Sequence, residues 1–201
     1  SSDVCSSDLD FDKIYLLVEN EHDFEYANIR FVKNWDDIVE VVNVQKRPTF
    51  KDFFEFFDNE KFSDSINIVA NTDIFFLNMQ QVDRNLHRLE RGKSCFALSR
   101  YDFHLNRPSF LFDRPDTQDT WVFNGNENLS KVQNIDFTMG IGGCDNRLAY
   151  ELQQAGFQVW NPSRTIQTFH LHDSPVRTNA DESGEQIVRI PPPYLLLEPT
   201  E

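Results

Sequence analysis

Between residues 66 and 100 the chain alternates short apolar runs with one amphipathic stretch, and this alternation restricts the fold more than any other feature. Ile66-Asn67-Ile68-Val69-Ala70 is rich in β-branched residues and bounded by polar ones, which is the length and chemistry of a buried strand. Residues 79–91 place Met79, Val82, Leu86 and Leu89 on one helical face, and Gly92 follows as a stop. Residues 95–100 then return to an apolar run. Strand, helix and strand in that order predict a βαβ unit.

The same pattern extends in both directions. Residues 13–18 and 39–44 predict strands, and 49–57 a helix with Phe50, Phe53, Phe54 and Phe57 at helical spacing between Pro48 and Asn59. Trp121-Val122-Phe123 is strand-like within the polar stretch 101–128. A glycine cluster at 140–143 leads into a predicted helix over 145–155, closed by Gly156, and 157–160 and 165–171 predict the last strands. The expected fold is α/β, Rossmann-like, with a mostly parallel central sheet flanked by helices. One domain is expected over 10–175. An extended tail over 176–201 contains Ile190-Pro191-Pro192-Pro193-Tyr194. Residues 1–9 repeat Ser-Ser-Asp without apolar periodicity, and are expected to be a non-native, adapter-like segment.

Charge narrows the function. The 201 residues carry 19 Lys and Arg against 33 Asp and Glu, a formal charge of -14. A general nucleic-acid binder needs clustered basic residues, so that class is excluded as a partner. An acidic protein acting on an anionic substrate needs a local divalent cation or a few placed arginines. No apolar run approaches the roughly 20 residues of a membrane-spanning helix. Three cysteines are too few and too scattered for a disulfide framework. Cys95 and Cys144 are expected as buried reduced thiols, in keeping with a cytoplasmic setting in which any membrane association comes through partners.

Three segments have residues suited to chemistry. The buried strand 66–70 runs straight into Asn71-Thr72-Asp73, which sets Asp73 at a carboxyl end, where open α/β sheets bind ligands. A carboxylate there can hold Mg²⁺ or Mn²⁺ against phosphate oxygens, or it can simply make a turn. Gly143-Cys144-Asp145 opens the helix over 145–155, where helix amides orient Asp145 as a general base needs; a plain capping role is the alternative. His170 and His172 fall on one face of a strand, a spacing open to a metal or diphosphate contact and equally to no ligand.

In this order the segments resemble the GT-A glycosyltransferases, particularly the family-two-like sugar transferases. Asn71-Thr72-Asp73 resembles the Asp-x-Asp motif with Asn in the first place. Residues 143–156 resemble the Gly-Glu-Asp…Ala-Gly helix, with Cys144 replacing Glu. The resemblance implies Asp73 with His170 or His172 as ligands of Mn²⁺ or Mg²⁺ and Asp145 as catalytic base. It further implies nucleotide contacts from Glu19, Arg47 and Asn71. Arg177, in the stretch after the histidines, is a separate candidate to clamp the diphosphate. The partners implied are a nucleotide-diphosphate sugar donor and a glycan acceptor in polysaccharide or surface-glycan synthesis. It covers about residues 12–174 and implies that the fold's first strand lies upstream. In Arg114-Pro115-Asp116-Thr117-Gln118-Asp119-Thr120-Trp121, Asp116, Asp119 and Trp121 are acceptor-site candidates, with a turn-forming loop and a core Trp as the alternative. A metal-dependent hydrolase and a non-catalytic glycan- or nucleotide-binding module are the competing classes.

Overall fold

Periodicity of the Phe residues explains the first helix of the larger unit. Thr49 caps it, accepting from the Asp52 amide while the Asp52 carboxylate accepts from the Thr49 amide at 2.8 Å, a reciprocal capping box. Helix Phe50–Phe57 buries Phe50, Phe54 and Phe57. Thr49→Ala is expected to cost about 1 kcal/mol, read from urea denaturation of the whole chain; an unchanged midpoint would mean the cap is redundant.

In this computed structural model, residues 11–27, 38–104, 106–171 and 189–201 are described. The chain divides into two compact units, Ser1–Pro48 and Thr49–Glu201. The first contains β1 (Ile14–Val18), α1 (Glu21–Ala27) and β2 (Val39–Asn43). Its two strands pair in parallel with Ile14 opposite Val39.

The second unit runs α2 (Phe50–Phe57), β3 (Ile66–Ala70), β4 (Ile74–Phe76), α3 (Gln80–Asn85), β5 (Ser94–Leu98), β6 (Arg100–His104), β7 (Arg107–Leu111), β8 (Thr120–Asn124), α4 (Cys144–Gln154), β9 (Gln158–Trp160) and β10 (Thr168–Leu171). One sheet has the order β3-β8-β5-β9, the other β4-β10-β6-β7. Strand β5 is buried throughout, as a central strand covered on both faces requires. Helix α2 covers one face of β8: Phe50 meets Trp121 edge-on at 6.3 Å and Phe54 meets Phe123 at 5.6 Å. Val122, Phe96 and Leu98 instead pack with Val82, Leu89 and Ile166. Alternate residues of β8 thus serve opposite layers.

The fold is α/β as expected, but its sheets are not mostly parallel. Among the described residues three ladders are parallel and four antiparallel. In the first sheet β5 is parallel to β9, whereas β8 is antiparallel to both β3 and β5. Strands β3, β5 and β9 therefore share one direction and β8 alone is reversed. A buried apolar run carries no mark of its direction, so Trp121-Val122-Phe123 could not show this in advance.

The C-terminal segment is extended, without helix or strand over 189–201, and belongs to the second unit. Its amides bond outward: Ile190 to the Gly142 carbonyl, Leu195 to that of Asn146, Leu197 to that of Pro115 and Thr200 to that of Asn161. Among the described residues no helix is long and apolar enough to cross a membrane.

Candidate functional site

Register puts the expected residues at one edge of the first sheet. Ala70 and Leu98 both pair with Thr120, so the exit of β3, the exit of β5 and the entry of β8 lie side by side. Asn71 and Asp73 follow the first, Arg100 the second, and Gln118 and Asp119 precede the third. Helix α4 joins them at its N-terminus: the Gln118 backbone amide donates to the Asp145 carboxylate.

Asp73 occupies the turn between β3 and β4, with its side chain half exposed, and its Oδ2 lies 2.9 Å from His170 Nε2. Antiparallel pairing of β10 with β4 sets His170 opposite Ile74, the neighbour of Asp73, which brings the two side chains together. The hydrogen bond with His170 holds the Asp73 carboxyl below its ordinary range against the opposing effect of burial, with Arg100 adding attraction. Carboxylate oxygen and imidazole nitrogen are a donor pair that a divalent ion accepts. Among the described residues no group of three or more His, Cys, Asp or Glu side chains encloses a metal position. His172 and Arg177 lie outside the described residues.

Arg100 occupies the middle of the edge. Its Nε donates to Asp102 at 2.9 Å and its Nη1 to Asp119 at 2.8 Å, and its guanidinium lies over the Phe112 ring at 4.8 Å. Burial works against its charge, but Asp119 and Asp102 outweigh that and raise its proton affinity. Asn71, expected at the nucleotide, has its Nδ2 3.5 Å from Asp119 Oδ1. Arg100 escaped the sequence reading. The available signal was its position directly after a buried strand, the same signal that marked Asp73.

Asp145 lies in the first turn of α4 beside the buried Cys144, whose Sγ is 3.2 Å from Asp145 Oδ1. Burial pushes the Asp145 carboxyl up to about 8, reinforced by the Asp119 carboxylate and opposed by Cys144, Arg100 and the Gln118 amide. Burial likewise pushes the Cys144 thiol up, so it remains a hydrogen-bond donor. Gly143 precedes the helix at φ 86°, and a Cβ there would meet the Ile190 carbonyl and the Tyr194 hydroxyl, both at 2.8 Å. What approaches this glycine is the protein's own C-terminal segment.

The remaining expectations divide. Asp116 is paired with Arg114 at 2.5 Å. Trp121, an acceptor-site candidate with a core Trp as the alternative, has the second of these surroundings. It is 1% exposed and sits in the core against Phe50, so its ring offers no face to a sugar. Glu19 and Arg47 belong to the first unit, and both are exposed. An open cleft of about 420 Å³ includes Lys131, Arg147, Tyr150 and Glu151 among its lining residues, and none of the expected site residues lines it.

In comparisons with known proteins, no family model, curated protein or solved structure matches this chain.

Proposed function

We propose that the chain carries most of the catalytic domain of a GT-A-type glycosyltransferase that moves a sugar from a nucleotide-diphosphate donor to a glycan hydroxyl. The observation that carries this reading is the gathering of Asp73, His170, Arg100, Asp119 and Asp145 around one sheet edge. Two of these, Asp73 and Asp145, feel the same guanidinium. Further support comes from the common direction of β3, β5 and β9, since open α/β sheets bind ligands at the carboxyl ends of such strands.

The reaction breaks the acceptor O–H and the donor's sugar–phosphate bond, and forms the glycosidic C–O bond. Asp145 takes the acceptor proton, while the leaving nucleoside diphosphate departs with the electron pair of the broken bond. A carboxylate with raised proton affinity is a better base for a hydroxyl than an ordinary one. Asp73 and His170 would hold a Mn²⁺ or Mg²⁺ ion, which when bound offsets charge on the diphosphate. Arg100 lessens the mutual repulsion of the acids.

The test is transfer or donor hydrolysis by the purified chain with uridine- and guanosine-diphosphate sugars and oligosaccharide acceptors. Activity is expected to vanish with chelator, return with Mn²⁺, and be absent from Asp73→Ala at every metal concentration that saturates the wild type. Chelator-insensitive turnover would sink the metal assignment. Hydrolysis of substrates lacking a nucleotide would point to a hydrolase instead.

A further inference from the structure

Asp145 has two supports, the first turn of α4 and the loop before β8. The turn is weakly fastened from within. Gly143 precedes it at φ 86° and no side chain caps it, so its first amides lack the partner that a Ser, Thr, Asp or Asn would supply. The C-terminal segment reaches both supports. Its Ile190 amide donates to the Gly142 carbonyl at 2.9 Å and its Leu195 amide to the Asn146 carbonyl at 3.0 Å, two bonds that bracket Asp145. Between them Arg147 Nη1 donates to the Pro191 carbonyl at 3.2 Å. The Leu197 amide then donates to the Pro115 carbonyl at 2.9 Å. That carbonyl also accepts from Gln118 Nε2 at 3.2 Å, and Gln118 is the buried residue whose backbone amide donates to Asp145.

Resting on the glycosyltransferase reading and deepening it, we propose that residues 189–197 are a positioning clamp that ties the turn bearing Asp145 to the loop at 115–118 and so fixes the base against the acceptor hydroxyl. Hydrogen bonds, more than apolar burial, hold the clamp: within 189–201 Pro199 alone is buried, and Leu196 is 55% exposed. Gly143 allows the approach, since a Cβ there would strike the Ile190 carbonyl and the Tyr194 hydroxyl. Proton transfer needs the base within hydrogen-bond reach of the hydroxyl, and a displacement of about 1 Å can cost about 10²-fold in rate. The donor end is set by other means, because the pairing of β10 with β4 brings His170 to Asp73. The clamp therefore bears on turnover and leaves donor affinity alone.

Leu195→Pro removes the N–H that bonds Asn146, whereas Leu195→Ala keeps it and shortens only the side chain. In the full chain, Leu195→Pro is expected to lower kcat for transfer by about 10- to 100-fold with donor KM unchanged. Leu195→Ala is expected to retain most of the turnover. Amide hydrogen exchange gives a readout independent of sugar transfer. In the wild type the Ile190, Leu195 and Leu197 amides are expected to be protected. In Leu195→Pro the Cys144 and Arg147 amides, which bond the Ile141 and Gly143 carbonyls, are expected to exchange roughly three- to tenfold faster, the loss of about one net hydrogen bond. Amides of β5 are expected to keep their rates, which a general loss of stability would not allow.

Free exchange of the Leu195 and Leu197 amides in the wild type overturns the proposal, as does an alanine variant that loses as much turnover as the proline one. If the proline variant does not fold, Tyr194→Phe decides. It deletes the hydroxyl that donates to the Ile190 carbonyl, and unchanged exchange at Ile190 and Cys144 overturns the clamp. Faster exchange at Cys144 and Arg147 in a chain that transfers no sugar in any form supports the clamp and ends the glycosyltransferase reading. An active wild type whose Leu195→Pro variant is equally active ends the clamp alone.

Discussion

Asp145→Asn is expected to lower sugar-transfer turnover by about 10²–10⁴-fold and, at the same time, to raise the melting temperature of the protein in mildly alkaline solution. The first effect follows from removing the group proposed to accept the acceptor's proton. Nucleotide affinity is expected to stay close to wild type, because Asp145 is assigned to the acceptor side of the reaction. The second effect follows from what burial does to this carboxyl. In the folded chain it keeps its proton up to about 8, whereas in the unfolded chain it ionises like any aspartate, near about 4.

The sign can be worked through directly. Between about pH 4 and pH 8 the folded state binds a proton that the unfolded state releases, so this group's contribution to stability falls as pH rises across that window. Above it the folded protein contains a buried, poorly solvated carboxylate, and the loss is complete. Asparagine has no such charge. The melting-temperature advantage of Asp145→Asn is therefore expected to grow with pH through the window and then level off. Asp73 runs the other way: its carboxyl is lowered, so its contribution is present above the ordinary carboxylate range and lost as pH falls. Thermal denaturation over this range, beside transfer kinetics, separates the cases. An inactive variant that is less stable at every pH would mean Asp145 is a structural cap.

Much of the scaffold was legible because burial writes itself into spacing. The strand expected at 66–70 is β3, residue for residue, and the apolar face of the Phe-rich helix is the one that meets Trp121 and Phe123. Elements broke where a polar side chain took over a backbone partner. The helix expected over 79–91 leaves α geometry after Asn85, whose amide bonds the Gln81 carbonyl at 2.8 Å, a competition with the helical ladder. The strand expected over 95–100 is interrupted at Ser99. Its amide goes to Asn161 and Ser163 and its hydroxyl to the Thr117 carbonyl, so the chain passes from one sheet to the other. That transfer is what delivers Arg100 to the site edge, and no periodicity announces it. The hairpin of β6 and β7 was hidden as well, because Pro108 reads as a breaker. It is tolerated because β7 is an edge strand.

Trp121 supplies the other large effect. Trp121→Ala is expected to destabilise the second unit by about 3–5 kcal/mol, since the indole is 1% exposed and lies edge-on to Phe50 at 6.3 Å. Phe50 in turn meets Phe137 at 5.6 Å, so the cavity left by alanine opens into an aromatic cluster whose rings cannot readily collapse into it. Trp121→Phe is expected to cost far less. It keeps most of the ring volume, and it removes an indole N–H that has no hydrogen-bond partner among the described residues, a group that is unfavourable to bury. The pair of variants also separates packing from recognition. A ring that stacked on the acceptor would raise acceptor KM when shortened to Phe and leave the denaturation midpoint nearly unchanged with Ala. A core ring gives the reverse, a large loss of stability with Ala and an unaltered KM with Phe. Urea denaturation and acceptor titration of the two variants read out both patterns, and only the second is compatible with the buried position of this side chain.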